Sequence, residues 1–193
     1  MFKSIRKFLI FQLTVNVAAV LICFIGPLLG ENIVLTVIQL LLVNLAMDTL
    51  AAIAFGSEPA LQEYMQEKPV PRRENIVTGK MLQQVGVCSL YITVICLGIL
   101  FLPAVHQLFG DVDITYMKSA VFATFMMAIA FNGFNARTES VNVLKYIGMN
   151  KTFLLITLII LAGQWLFVEL GGEVLSVEPL TLETWLICGL LAL

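Results

Sequence analysis

Long apolar runs separated by short polar stretches recur along the chain, at about residues 8–29, 33–55, 82–104, 117–136, 153–169 and 184–193. Inside them polar and apolar positions do not alternate, which sets them apart from the strands of a membrane barrel. A helix rises about 1.5 Å per residue and must cross about 30 Å of hydrocarbon. The first five runs therefore predict spanning helices, the fifth a short one, while the sixth covers about half the distance and stops at Leu193. Only helices and closed barrels satisfy backbone polar groups inside a bilayer. The expected fold class is thus all-α: a polytopic transmembrane helix bundle of five full spans plus a truncated sixth, with residues 1–193 as one membrane domain.

The opening Met1–Lys7 is basic, but the apolar run behind it is longer than a signal-peptide core and lacks a small-residue cleavage pattern. It reads as a helix that stays. The long loop Gly56–Lys80 holds Pro59, Pro69, Pro71 and mixed charge, and is expected to be a short connection, not a folded domain. No internal repeat is evident, and neither is the inverted-repeat symmetry of many secondary transporters.

Composition narrows the function classes. The chain is 60% hydrophobic and 12% charged, about half the charged share of soluble domains. This excludes a soluble enzyme, a disordered regulator and a DNA reader. A net charge of -2, from 11 Lys and Arg against 13 Asp and Glu, offers no basic face for nucleic acid. The first partner is the lipid bilayer.

The placement of charge gives a direction. Lys3, Arg6 and Lys7 precede the first span, Lys68, Arg72, Arg73 and Lys80 lie between the second and third, and Arg137, Lys145 and Lys151 lie between the fourth and fifth. Ten of eleven cations thus share one side, whereas the opposite loops carry acids such as Glu31, Asp111, Asp113, Glu173 and Glu178. Cytoplasmic loops are enriched in Lys and Arg, so a multi-pass protein with a cytosolic N-terminus is expected. Lys118, at the outer start of the fourth span, is the exception and is expected to snorkel to the interface.

Among thirteen acids only Asp48 lies well inside a span. A carboxylate at that depth costs about 2.5–3.5 kcal/mol on insertion scales, so it normally meets a cation, a proton or a water-filled path. Asn44 and Asp48 stand i, i+4 on one helical face, with Thr49 beside them, and Gln12 and Asn16 repeat that spacing in the first span. Asn16 is about 8–9 residues, roughly 13 Å, from the inner end of its run, and Asp48 about 7–8 residues, roughly 11 Å, from the inner end of its own. The two can meet across a helical hairpin. One carboxylate and amide carbonyls are hard oxygen donors, suited to Ca²⁺ or another hard cation. Two or three side chains do not complete a site of six to eight oxygens, so backbone carbonyls, water or further helices must supply the rest.

Each candidate has a structural competitor. Asp48 can serve as a buried hydrogen-bond acceptor, and Asn16 and Asn44 as interhelical glue. Gln12, nearer the surface, reads as structural. Gln83, Gln84, Asn132, Asn135, Gln164 and Trp165 read as packing or interface anchors. Thr78-Gly79-Lys80 resembles the end of a phosphate loop, but the earlier glycine position is Glu74 and no strand precedes it. Cys23, Cys88, Cys96 and Cys188 form no Cys-x-x-Cys pair, and the single His106, expected in an outer loop, can build neither a zinc site nor a triad. Asn150-Lys151-Thr152 matches a glycosylation sequon on the inferred cytosolic side, where it should stay unmodified.

Several ordered motifs carry a family resemblance. Gln12-Leu13-Thr14-Val15-Asn16-Val17 and Val43-Asn44-Leu45-Ala46-Met47-Asp48-Thr49-Leu50-Ala51 resemble the fifth and sixth membrane helices of P-type calcium-transporting ATPases, the plasma-membrane branch above all. Glu58-Pro59, Lys68-Pro69-Val70-Pro71-Arg72-Arg73-Glu74 and Phe131-Asn132-Gly133-Phe134-Asn135-Ala136-Arg137 extend the resemblance in order over essentially the whole chain. It implies the last six helices of a ten-helix pump, the final one truncated: the C-terminal membrane domain of a cation-transporting P-type ATPase. It further implies Asn44 and Asp48 as ligands of the transported Ca²⁺, together with a glutamate of the fourth pump helix, which this sequence does not contain. The Asn16 position belongs to a second site in sarcoplasmic-reticulum-type relatives, along with an acid three residues later. Here that residue is Ala19, Ile129 stands where such relatives have another ligand, and Met47 replaces a hydroxyl residue. These departures imply a single-ion pump with Asn44, Asp48 and Asn16 as its metal-site candidates.

The sequence has no Asp-Lys-Thr-Gly-Thr phosphorylation motif, no nucleotide-binding or actuator domain and no Pro-Glu-Gly-Leu-Pro break. It is therefore expected not to be an ATPase on its own, with ATP and Mg²⁺ handled by missing domains. The remaining helices and cytosolic domains would be its partners, in the same or a separate chain. Two other readings stay open: a stand-alone membrane protein that binds a separately encoded partner, and a passive cation channel built around Asp48.

Overall fold

The computed structural model describes residues 2–31, 33–57, 77–110, 112–137 and 150–193. Among them the chain forms α1 (Phe2–Leu28), α2 (Val37–Gly56), α3 (Gly79–Phe101), α4 (Pro103–Phe109), α5 (Ile114–Arg137), α6 (Lys151–Leu170), α7 (Gly172–Leu175) and α8 (Leu182–Ala192), with no strand among the described residues. Helices α1, α2, α3, α5 and α6 are long and apolar enough to cross a bilayer, and α8 is a shorter apolar helix. The prolines Pro59, Pro69 and Pro71, the cations Lys68, Arg72, Arg73 and Lys145, and Asp111 lie outside the described residues.

Local chemistry sets the starts. Thr36, Thr78, Asn150 and Thr181 each accept a hydrogen bond from a backbone N–H three residues on, which satisfies a donor the first helical turn leaves open. At α2 the cap is reciprocal: the backbone N–H of Thr36 donates to Gln39 Oε1 at 2.9 Å, while Gln39 N–H donates to Thr36 Oγ1 at 3.3 Å. Thr78 therefore belongs to a helix cap, and Gly79 and Lys80 lie inside α3, away from any phosphate-loop geometry. The third apolar run, expected to continue to about 104, breaks at Leu102, whose backbone is extended. Pro103 lacks an N–H and begins a new short helix, so His106 lies in α4 and not in a loop.

Hydroxyl groups within the spans are satisfied by their own helices. Thr14, Thr49, Thr93, Thr124 and Thr157 each donate to the carbonyl four residues earlier, at 2.7–2.9 Å. The helices can then pack through small residues without stranding polar atoms. Helix α5 is the most enclosed, with 67% of its apolar window buried against 28% for α1 and α2. Its buried Ala120, Ala123, Ala128, Ala130, Gly133 and Ala136 allow close approach of neighbouring helices, the preferred mode where lipid tails compete for apolar contact. Helix α1 packs chiefly on α3, α5 on α8 and α3, and α6 on α5 and α2. Leucine and isoleucine side chains on the outer surfaces, such as Leu41, Leu45, Leu90, Leu158 and Leu190, are exposed, as lipid-facing positions should be.

The ends sort into two sets. At one end Phe11, Phe55 and Phe153 form a chain of rings with centroids 5.8 and 5.9 Å apart, Phe134 meets Phe153 edge-on at 5.1 Å, and the Arg137 guanidinium lies 5.5 Å from the Phe153 ring centroid. Gln84 at the start of α3 donates to the Asn135 carbonyl on the same side. At the other end Gln39 donates to the Leu175 carbonyl at 2.8 Å, Tyr116 shares a hydrogen bond with Thr184 at 2.8 Å, and Lys118 pairs with Glu31. Successive spans thus run in alternate directions, as the distribution of charge requires.

Candidate functional site

Asp48 sits in α2, eight residues before its end, and is the one ionisable side chain of that helix. Its neighbours on the helix diverge. Met47 is buried in the core, whereas Thr49 is exposed and its hydroxyl donates to the Leu45 carbonyl at 2.7 Å. Asp48 lies between these faces and is half-buried. Its Oδ2 accepts a hydrogen bond from Gln12 Nε2 of α1 at 3.0 Å. Its Oδ1 is buried and has no hydrogen-bond partner among the described residues. A sealed carboxylate oxygen with nothing donating to it is costly in an apolar setting.

The depth count from the sequence paired Asp48 with Asn16, and the structure pairs it with Gln12. The reason is the start of α1. The helix begins at Phe2, before the apolar run itself, because Phe2–Lys7 continues the helix into its basic flank. Measured along the helices, Gln12 lies about 15 Å from the start of α1 and Asp48 about 12 Å from the end of α2, against about 21 Å for Asn16. Gln12, read as structural from its position nearer the surface, is thus the contact that sequence reasoning missed. The signal was present: Gln12 and Asn16 share a face of α1 at i, i+4.

Of the three metal-site candidates, Asp48 is half-buried, Asn16 is half-buried on α1 without a side-chain hydrogen bond among the described residues, and Asn44 is exposed one turn before Asp48. Asn44 and Asp48 keep the common face of α2 that their spacing dictates, and no described helix covers Asn44. Among the described residues no three His, Cys, Asp or Glu side chains converge. What the described residues offer a cation at Asp48 is one carboxylate and amide oxygens, donors that favour hard ions. The four cysteines are free, with Cys96 and Cys188 buried and Cys188 donating weakly to the Ala120 carbonyl at 3.6 Å. They behave as small core residues.

Other polar groups of the spans divide between anchoring and orphaned positions. Asn135 and Gln84 join α5 to α3 through the Asn135 carbonyl. Asn132 is buried with an unpartnered Nδ2, and Gln164 on α6 is 1% exposed with neither amide atom hydrogen-bonded among the described residues.

Comparison with known sequences bears on this arrangement. Residues 32–193 match the family described as "Cation transporting ATPase, C-terminus". The chain is 37% identical over 191 residues to calcium-transporting ATPase 5, plasma membrane-type, of Oryza sativa subsp. japonica, covering 96% of this chain and 18% of that protein. It is 35% identical over 199 residues to plasma membrane calcium-transporting ATPase 3 of Homo sapiens, covering 97% of this chain and 16% of that protein. To plasma membrane calcium-transporting ATPase mca-1 of Caenorhabditis elegans it is 33% identical over 198 residues, again covering 97% of this chain and 16% of the relative. The chain spans less than a fifth of the length of these curated relatives.

Proposed function

The chain belongs to the family of cation-transporting ATPase C-terminal regions, and from that premise we propose that it is the membrane transport domain of a P-type calcium pump, supplying part of an intramembrane cation site. Calcium is the transported ion in this reading, which the names of the relatives and the oxygen-only character of the site both support. Asp48 and Asn44 of α2 are direct ligands, and Asn16 of α1 offers a further amide oxygen. The remaining oxygens come from another membrane helix of the pump, for which the exposed Asn44 side of α2 is the available face. ATP and Mg²⁺ are handled by cytosolic domains of the pump, in the same or a separate chain, and the N-terminus is cytosolic.

The observation that carries the reading is the buried Oδ1 of Asp48, which has no hydrogen-bond partner among the described residues. An anion held within a span stores a strong preference for a cation, and alternating exposure of that anion to the two sides turns the preference into transport. The test is Asp48→Asn in an assembled pump. It removes the charge at nearly constant volume and is expected to abolish calcium-dependent phosphorylation by ATP. Phosphorylation that keeps its calcium dependence at ordinary affinity would overturn the assignment.

A further inference from the structure

We propose that Gln12 is a positioning residue for the cation site, holding the Asp48 carboxylate by one oxygen so that the other is presented to the ion. The proposal rests on Asp48 being a ligand. Gln12 Nε2 donates to Oδ2 at 3.0 Å across the α1–α2 contact, while Oδ1 stays buried without a donor among the described residues. An aspartate side chain on a helix has few rotamers, and a hydrogen bond to one oxygen selects among them. The lone pairs of Oδ1 are then fixed in direction before an ion arrives. Gln12 already occupies one lone pair of Oδ2 while those of Oδ1 are open, so ligation through Oδ1 is the arrangement the contact favours.

The chemistry of the partner matters as much as its position. A hydrogen bond to an ionised acceptor is shorter and stronger than a neutral one, so an amide is sufficient to hold a carboxylate. Being uncharged, it leaves the full negative charge available to the ion. A lysine or arginine in its place would neutralise Asp48 and compete with the cation. The side chain of Gln12 is half-buried, and its hydrogen bond to Asp48 joins α1 to α2 part-way along the two helices. Movement of α1 against α2 would therefore turn or release the carboxylate, linking site geometry to helix position.

The experiment uses an assembled pump carrying Gln12→Met, which keeps the side-chain volume and removes the donor, and Gln12→Glu, which keeps the shape and cannot donate when ionised. Calcium activation of phosphorylation and turnover is measured for both and for Asp48→Asn. The half-saturating calcium concentration should rise roughly tenfold or more, as when the group orienting a metal ligand is removed. Turnover at saturating calcium should stay near that of the parent. A purely structural role would instead lower the amount of active pump and leave half-saturation unchanged. Half-saturation within about twofold of the parent in both Gln12 variants, while Asp48→Asn has lost its calcium response, overturns the positioning role and leaves the ligand intact. An Asp48→Asn pump that responds normally to calcium overturns both.

Discussion

Lys118 Nζ lies 2.8 Å from Glu31 Oε2, joining the start of α5 to the connection between α1 and α2 at the end of the bundle opposite the N-terminus. The one cation that departs from the charge asymmetry of the chain thus pairs with a specific acid at that end of the bundle. Both side chains are roughly three-quarters covered, with relative exposures of 27% and 28%. The pair fixes the α1–α2 hairpin to the central helix, close to where the two helices reverse direction.

Reversing one member of this pair should destabilise the bundle, and reversing both should restore much of the loss. Exposed ion pairs contribute about 0.2–1 kcal/mol, and this partly covered pair belongs near the upper end of that range. Lys118→Glu or Glu31→Lys alone places like charges together and should lower the thermal midpoint of the protein in detergent. The double swap should recover it, with the recovery smaller at high salt. Additive losses in the double swap would show that the contact carries no coupling.

Gln164→Leu should stabilise the bundle. Gln164 is 1% exposed on α6, and both atoms of its amide lack partners among the described residues. An unsatisfied buried polar group costs about 1–3 kcal/mol relative to an apolar residue of similar size. Leucine fills comparable volume without that cost, and α6 packs on α5 and α2 through otherwise apolar contacts such as Ile156 and Ile160. The expected gain is about 1 kcal/mol or more, read as a higher midpoint of thermal unfolding in detergent. A loss of stability would mean that Gln164 makes a hydrogen bond to a group outside the described residues.

Much of this architecture was legible because a bilayer leaves few choices. Apolar runs of about twenty residues have to become helices, and the runs at 33–55, 117–136 and 153–169 differ from α2, α5 and α6 by a few residues at each end. What was not legible depends on flanks and on partners. Hydropathy ends at Phe8, but the helix continues back to Phe2, because Lys3, Arg6 and Lys7 are good helix formers. That shift replaced Asn16 by Gln12 opposite Asp48. The break at Leu102 was hidden because the run stays apolar through it, and only the missing N–H of Pro103 marks the point. The importance of Asp48 was readable from its isolation, whereas the direction of its two oxygens required coordinates.

The direction of the bundle in the membrane yields the last prediction. The Phe11–Phe55–Phe153 end carries Lys3, Arg6, Lys7, Lys80, Arg137 and Lys151 among the described residues, while the Lys118–Glu31 end also carries Asp113, Glu173, Glu178 and Glu183. Positive charge is retained on the cytosolic side during insertion, so the first end should be cytosolic. In sealed microsomes with the cytosolic face outward, a cysteine introduced by Ser57→Cys, at an exposed position after α2, should react with a membrane-impermeant maleimide. One introduced by Glu173→Cys, exposed at the other end, should react only after the membrane is permeabilised. The sequon at Asn150 should remain unmodified on two counts. Its end of the bundle is the one expected on the cytosolic side, and Asn150 is 3% exposed with Oδ1 accepting from the Phe153 N–H at 3.0 Å, so its carbonyl oxygen caps α6. The reverse labelling pattern, with Glu173→Cys reactive in sealed vesicles and Ser57→Cys protected, would invert the topology and place the N-terminus on the far side.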